Sequence, residues 1–289
     1  MADELTRTIL DNIMSARRRT LDETRLAIPL ERLQAAAEAR KERRSFAAAL
    51  APTAAPAGLP GLRVIAELKR ASPSRGLLRQ QYRRREIALG YSQAGAAALS
   101  VLTEEQYFLG SLHDLTEVRQ AVEIPVLRKD FILDSYQVYE SVAAGADALL
   151  LIVAALQDRD LRSLVELARQ LRIDALVEVH TEPELQRALE AGARIIGINN
   201  RNLKTLEVDL EISFQLREKI PAGCITVSES GIKTSQDLRR LSQAGFDAIL
   251  IGERLMAEPD PGQVLRLLLL ESAGEPILVE NRKAKVETR

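Results

Sequence analysis

The sequence predicts an α/β protein, a closed (βα)8 barrel of the TIM type with an N-terminal helical extension, on three observations. Eight short apolar runs alternate with stretches of helical periodicity, as in a parallel sheet covered outside by helices. An Ala-Gly signature recurs at near-constant spacing ahead of apolar runs, as repeated strand–helix units require. Ionisable residues gather at the run ends, where a barrel of this kind opens its site.

In chain order, residues 3 to 50 have helical spacing. Leu5, Ile9, Ile13 and Met14 share a side of a first segment, and Leu30, Leu33 and Ala37 a side of another. Ala51 to Gly61 combines Pro and Gly with no charge and reads as a connector, a disordered linker being the alternative, so 1–60 is expected to be extension plus connector. The barrel is expected over 61–272, with strands near 63–68, 98–103, 125–129, 148–153, 174–179, 194–199, 224–228 and 247–251. Between them Ser135 to Ala144, Leu161 to Leu171, Glu182 to Ala191 and Ser235 to Ala244 have the rhythm of helices packed on a sheet. Gly95, Gly145, Gly192 and Gly245 each precede a strand at intervals of 50, 47 and 53 residues, room for two strand–helix units apiece. Each is expected to end a helix in the left-handed conformation, which a β-carbon disfavours. A doubly wound open sheet would usually carry a Gly-rich loop after its first strand, and Arg70 to Arg75 has no glycine. The tail over 273–289 is charged, poor in large apolar residues from Glu280 onward, and expected to fray.

The 289 residues allow one large domain or two small ones, and 46% hydrophobic content fills a sizeable core. Forty Lys and Arg against 41 Asp and Glu give no field that draws the chain to nucleic acid or an anionic membrane, so a small-molecule partner is expected. Ala148 to Leu156, the longest apolar stretch, falls well short of the ~20 residues that span a bilayer. Met1 to Arg7 carries acids where a secretory signal would be apolar, and a cytoplasmic protein is expected. Cys224, the single cysteine, lies in an apolar run and reads as buried and inert. His113 and His180 have no companion cysteines and read as capping or loop-bonding groups rather than metal ligands. Arg17-Arg18-Arg19 and Arg83-Arg84-Arg85 read as solvated helix faces.

The strand ends carry the chemistry. Strand one offers Glu67 and Lys69 on one face, followed by Ser72 and Ser74. Strand two ends at Thr103-Glu104 with Tyr107 and Phe108 beyond, and strand three gives Arg128-Lys129-Asp130-Phe131. Strand five gives Glu178 and His180, strand six Asn199-Asn200-Arg201-Asn202, strand seven Ser228-Glu229-Ser230-Gly231 and strand eight Gly252-Glu253. Lysines and glutamates meeting at one mouth can divide acid and base work, since burial and neighbouring charge set their proton affinities. The turns after strands seven and eight are where such barrels often cradle a phosphate on backbone N–H groups, with Lys69 as countercharge.

Ile65 to Ser74, Pro125 to Phe131, Leu176 to His180, Ile196 to Leu203 and Val227 to Ile232, taken in order, resemble the indole-3-glycerol phosphate synthase family of tryptophan synthesis. The resemblance spans about residues 61 to 257. It implies ring closure of 1-(2-carboxyphenylamino)-1-deoxyribulose 5-phosphate with loss of carbon dioxide and water, and no metal or organic cofactor; separately, a monomer with no nucleic-acid or membrane partner is expected. It implies Lys129 as general acid and Glu178 as general base, Lys69 as a ligand of the substrate's anionic groups, and Glu67 as the acid that organises the lysines. Asn199, Arg201, Ser72 and Glu229 are implied substrate contacts, and Ser230, Gly231 and Gly252 the phosphate cradle. Phe108 and Phe131 are expected to hold the substrate's aromatic ring between apolar faces, plain packing being the alternative. Glu253 stands where the family often has a small hydroxyl residue, and no residue of the extension is assigned a role. A phosphoribosyl anthranilate isomerase and a barrel without catalysis are the rival readings.

Overall fold

The computed structural model describes residues 8–51 and 62–273. The first residues, nearly all of the connector and the charged tail lie outside the described residues. Three helices come first. Helix α1, Ile9–Ala27, starts at a capping box in which Thr8 and Asp11 satisfy each other's backbone N–H groups. Its buried face is Ile13, Met14, Ala16, Arg17 and Leu21. Helix α2, Leu30–Ala39, buries Leu33 and Ala37. Helix α3, Phe46–Leu50, puts Phe46 and Leu50 against the barrel interior, and its Ala47 N–H bonds Asp174 at 2.9 Å.

The barrel strands are β1 Arg63–Leu68, β2 Ala98–Leu102, β3 Val126–Lys129, β4 Ala148–Ile152, β5 Asp174–Val179, β6 Ile195–Asn199, β7 Ile225–Glu229 and β8 Ala248–Ile251. Each pairs in parallel with its sequence neighbours, and β8 closes on β1 with Ile65 opposite Leu250. Every strand end lies within a residue of its sequence expectation. Helices α4 Arg84–Gln93, α5 Leu112–Ala121, α6 Ser135–Ala144, α7 Asp158–Gln170, α8 Glu182–Glu190, α9 Glu211–Arg217, α10 Ser235–Gln243, α11 Glu253–Met256 and α12 Pro261–Ala273 follow the strands in turn. The four repeat glycines have φ between 77° and 99°, the expected left-handed form.

Strand alternation sorts the core into two layers. Val64, Ala66, Leu68, Val126, Val177, Val179, Ile196 and Ile198 pack outward against helices. Ile65, Leu127, Leu176, Ile195, Val227 and Leu250 fill the barrel. The inward parity continues to the carboxyl ends, so Glu67, Lys129, Glu178, Asn199 and Glu229 face the interior above an apolar plug, while Arg128 points out to Glu140 of α6 at 2.8 Å.

Three surface assignments differ from expectation. Cys224 is half-buried rather than buried, because its strand begins at the barrel rim. Arg17 is buried against the barrel, while Arg18 and Arg19 are solvated. His113 is exposed and Ser111 caps α5 in its place. Among the described residues no helix is long and apolar enough to cross a membrane.

Candidate active site

The carboxyl ends of the strands open on a cavity of about 510 Å³. Glu67, Lys69, Phe108, Lys129, Phe131, Glu178, Asn199, Arg201, Glu229, Ser230, Gly231 and Gly252 all line it. Of the residues expected to act on or contact substrate, Ser72 lies apart, in a smaller apolar recess beside it.

At the cavity floor two lysines and three carboxylates interlock. Lys69 Nζ lies 2.7 Å from Glu67 Oε1, and Lys129 Nζ lies 3.9 Å from Glu67 Oε2, 3.6 Å from Glu178 Oε2 and 3.4 Å from Glu229 Oε2. Burial works against the Lys129 charge, but Glu229, Glu178 and Glu67 outweigh it and raise its pKa, so the ammonium keeps its proton at neutral pH. Burial also opposes the Glu67 charge, and there Lys69 and Lys129 prevail and hold the carboxyl below its ordinary value. Glu229 goes the other way. Burial, reinforced by Glu178 and Glu67 and only partly offset by Lys129, pushes its pKa up to about 8. Neither Glu229 oxygen makes a hydrogen bond to a described residue. Space for this carboxylate exists because β6 has Gly197, where a β-carbon would sit 2.2 Å from Glu229 Oε1.

Beyond β7, Ser230 and Gly231 take consecutive left-handed φ values of 65° and 81°. For Ser230 that conformation costs on the order of 1 kcal/mol, a strain typical of functional loops. Asn200 holds the turn: its Nδ2 donates to Ser228 Oγ, Glu229 O and Ser230 O at 2.9–3.1 Å, while its Oδ1 accepts from Ser213. Gly252 is required by crowding, since a β-carbon there would meet Glu67 Oε1 at 2.4 Å. Glu253, next along, sits between two cations, Arg201 Nη2 at 3.1 Å and Arg75 Nε at 3.2 Å. Its carboxylate therefore occupies the guanidinium groups nearest the turn, whereas Lys69, the expected countercharge, is engaged by Glu67.

The recess is walled by Ile9, Leu10 and Ile13 of α1 together with Phe108, Phe131 and Leu203. Glu104 fixes Phe108 by accepting the backbone N–H groups of Gln106, Tyr107 and Phe108 at 2.7–3.0 Å. The two phenylalanine rings are 6.3 Å apart at their centroids and tilted by 38°. That is contact distance for an aromatic pair and leaves no room for a third ring between them. Helix α1 is locked over this wall by Arg17, whose Nη2 reaches Asp130 Oδ2 at 2.6 Å. Asp130 also accepts from Thr103 and Arg128, at 2.5 and 2.9 Å.

Several of these groups escaped the sequence reading. Arg17 was one arginine in a triplet, and helical phase alone could have separated it from its solvated neighbours. Asn200 and Arg75 stood beside recognised motifs without a pattern of their own. His180 makes the loop bond expected of it, to Glu184, but its other ring nitrogen lies 3.5 Å from Glu178 Oε1.

Comparison with known proteins agrees with this geometry. The family model described as indole-3-glycerol phosphate synthase matches residues 10–268. A protein of that name from Albidiferax ferrireducens is 48% identical over 257 residues, covering 89% of this chain and 96% of its own length. Another from Carboxydothermus hydrogenoformans is 51% identical over 207 residues, 71% of this chain and 78% of its own. Among solved structures a mandelate oxidase superposes with a TM-score of 0.57 at 20% identity, covering 73% of each chain, a likeness of fold alone. The chain belongs to the indole-3-glycerol phosphate synthase family.

Proposed function

We propose that this chain closes the ring of 1-(2-carboxyphenylamino)-1-deoxyribulose 5-phosphate and then releases carbon dioxide and water to give indole-3-glycerol phosphate, with Lys129 as general acid and Glu178 as general base. The observation that supports the division of labour is one protonated lysine set 3.6 Å from one buried carboxylate at the floor of one cavity. As the aromatic carbon attacks the ketone, negative charge grows on its oxygen, and an ammonium held beside it lowers that barrier. Loss of water then needs a proton delivered to the leaving hydroxyl and another removed from the ring, tasks for Lys129 and Glu178.

In this reading the aromatic ring lies across the Phe108–Phe131 pair, against α1, with Ser72 at the edge of the recess. The phosphate rests on the backbone of Ser230, Gly231 and Gly252 and displaces Glu253 from Arg201. Lys69, steadied by Glu67, meets the substrate's other anionic groups, and Asn199 and Glu229 contact the substrate from the floor. The protein works as a cytoplasmic monomer with no metal or organic cofactor.

The test is to supply the carboxyphenylamino substrate to purified protein and follow indole fluorescence, with Glu178→Gln alongside. Indole formation by the native chain, and accumulation of a cyclised, undehydrated intermediate by Glu178→Gln, are expected. No indole, or full turnover by Glu178→Gln, contradicts the reading.

A further inference from the structure

Beside Glu178 stands a group without a role so far. His180 follows the end of β5 with the same parity as Glu178, and its side chain is 11% exposed. Its Nδ1 lies 3.2 Å from Glu184 Oε2, and its backbone N–H donates to the same oxygen at 2.8 Å. Glu184 belongs to the first turn of α8, where the helix dipole favours a negative charge. With Nδ1–H so anchored, Nε2 is left as the acceptor. It is buried, makes no hydrogen bond to a described residue, and faces Glu178 Oε1 at 3.5 Å. His180 does not line the cavity, whereas Glu178 does. A buried, unpartnered nitrogen aimed at the proposed general base is costly unless it is used.

We propose that His180 is a positioning residue that acts through Glu178, taking from it the proton removed from substrate and so restoring the base for the next turnover. This inference rests on Glu178 being the base. In the step, the O–H bond of protonated Glu178 breaks as the Nε2–H bond forms, leaving a carboxylate and an imidazolium whose Nδ1–H stays bonded to Glu184. When product leaves, the proton passes from Nε2 back through Glu178, which lines the cavity, to entering water, and the starting tautomer returns. The titratable groups facing the ring are Glu178 of β5, Glu184 of α8 and Glu229 of β7, with Lys129 of β3 beyond Glu178. Burial disfavours the imidazolium, but Glu184 and Glu178 foremost, with Glu229 where it is ionised, outweigh it and raise the His180 pKa, so the ring can hold the proton in transit.

The relay gives turnover an acid limb set by His180, because Nε2 must be free to accept. Removing the Glu184 charge lowers the His180 pKa and moves that limb to lower pH. The experiment measures kcat and KM against pH for the native chain, Glu184→Gln, His180→Gln and Glu178→Gln, with thermal melts on each. Glu184→Gln keeps an acceptor for both His180 N–H groups, and its acid limb is expected to move to lower pH. His180→Gln is expected to lose roughly 10²-fold in kcat at nearly unchanged KM. Acid limbs unmoved in Glu184→Gln, with Glu178→Gln inactive in dehydration, overturn the relay and leave the base assignment standing. Full dehydration by Glu178→Gln overturns both. If His180→Gln does not fold, the Glu184→Gln profile decides.

Discussion

The Lys129 ammonium and the Glu178 carboxylate lie 3.6 Å apart, on β3 and β5, facing the same cavity. Neither strand adjoins the other, since β4 runs between them and presents apolar Ala148, Leu150 and Ile152 inward. Glu67 and Glu229 complete a cage of three carboxylates around one lysine.

That cage depends on Gly197. In Gly197→Ala the new methyl would sit 2.2 Å from Glu229 Oε1 and 3.2 Å from Leu176 Cδ1, so the carboxylate must swing off Lys129. Overpacking of this kind costs about 1–3 kcal/mol, and a misplaced group in the cage lowers turnover by up to roughly 10²-fold. Urea melts and steady-state assays check both. Adding Glu229→Asp, a shorter carboxylate, is expected to recover most of the stability.

Glu229 also makes stability depend on pH. Its folded pKa of about 8 stands above its ordinary value of 4.5. Between those values the folded chain holds a proton that the unfolded chain has released, so this group's contribution to stability is full below pH 4.5 and falls as pH rises toward 8. The loss is on the order of 1.4 kcal/mol for each pH unit over which the two states differ. Glu229→Gln removes that dependence, so its melting temperature is expected to gain on the native chain as pH rises from 5 to about 8. A constant difference across that range contradicts the assignment.

Arg17 ties the extension to the site. Arg17→Met leaves Asp130 with Thr103 and Arg128 but removes the bond to α1, at a cost of about 1.5–3 kcal/mol for a charge-assisted contact. Because α1 supplies Ile9, Leu10 and Ile13 to the recess, KM is expected to rise more than kcat falls. Steady-state kinetics, with protease cleavage within 8–27 as a measure of undocking, check this.

The barrel was legible because its signals are local. Inward parity along β1, β3 and β5 put Glu67, Lys129 and Glu178 on one face before any contact was known, and the four repeat glycines marked the helix ends through their φ values alone. Contacts made between distant segments left weaker marks. Arg17 meets Asp130 across 113 residues, Asn200 holds Ser230 across 30, and nothing at His180 announces that its free nitrogen turns toward Glu178 rather than solvent. The Phe108–Phe131 pair shows the same limit, since the sequence supplies two rings but not the tilt that closes the gap between them.

In the proposed reaction the caged ammonium of Lys129 does chemistry rather than binding. Lys129→Met, measured by substrate titration and by single-turnover indole formation, tests it most directly. Affinity within a few-fold of the native chain is expected, with a rate reduced by roughly 10²–10⁴. Native-like turnover, or loss of affinity with the rate of bound substrate unchanged, would contradict it.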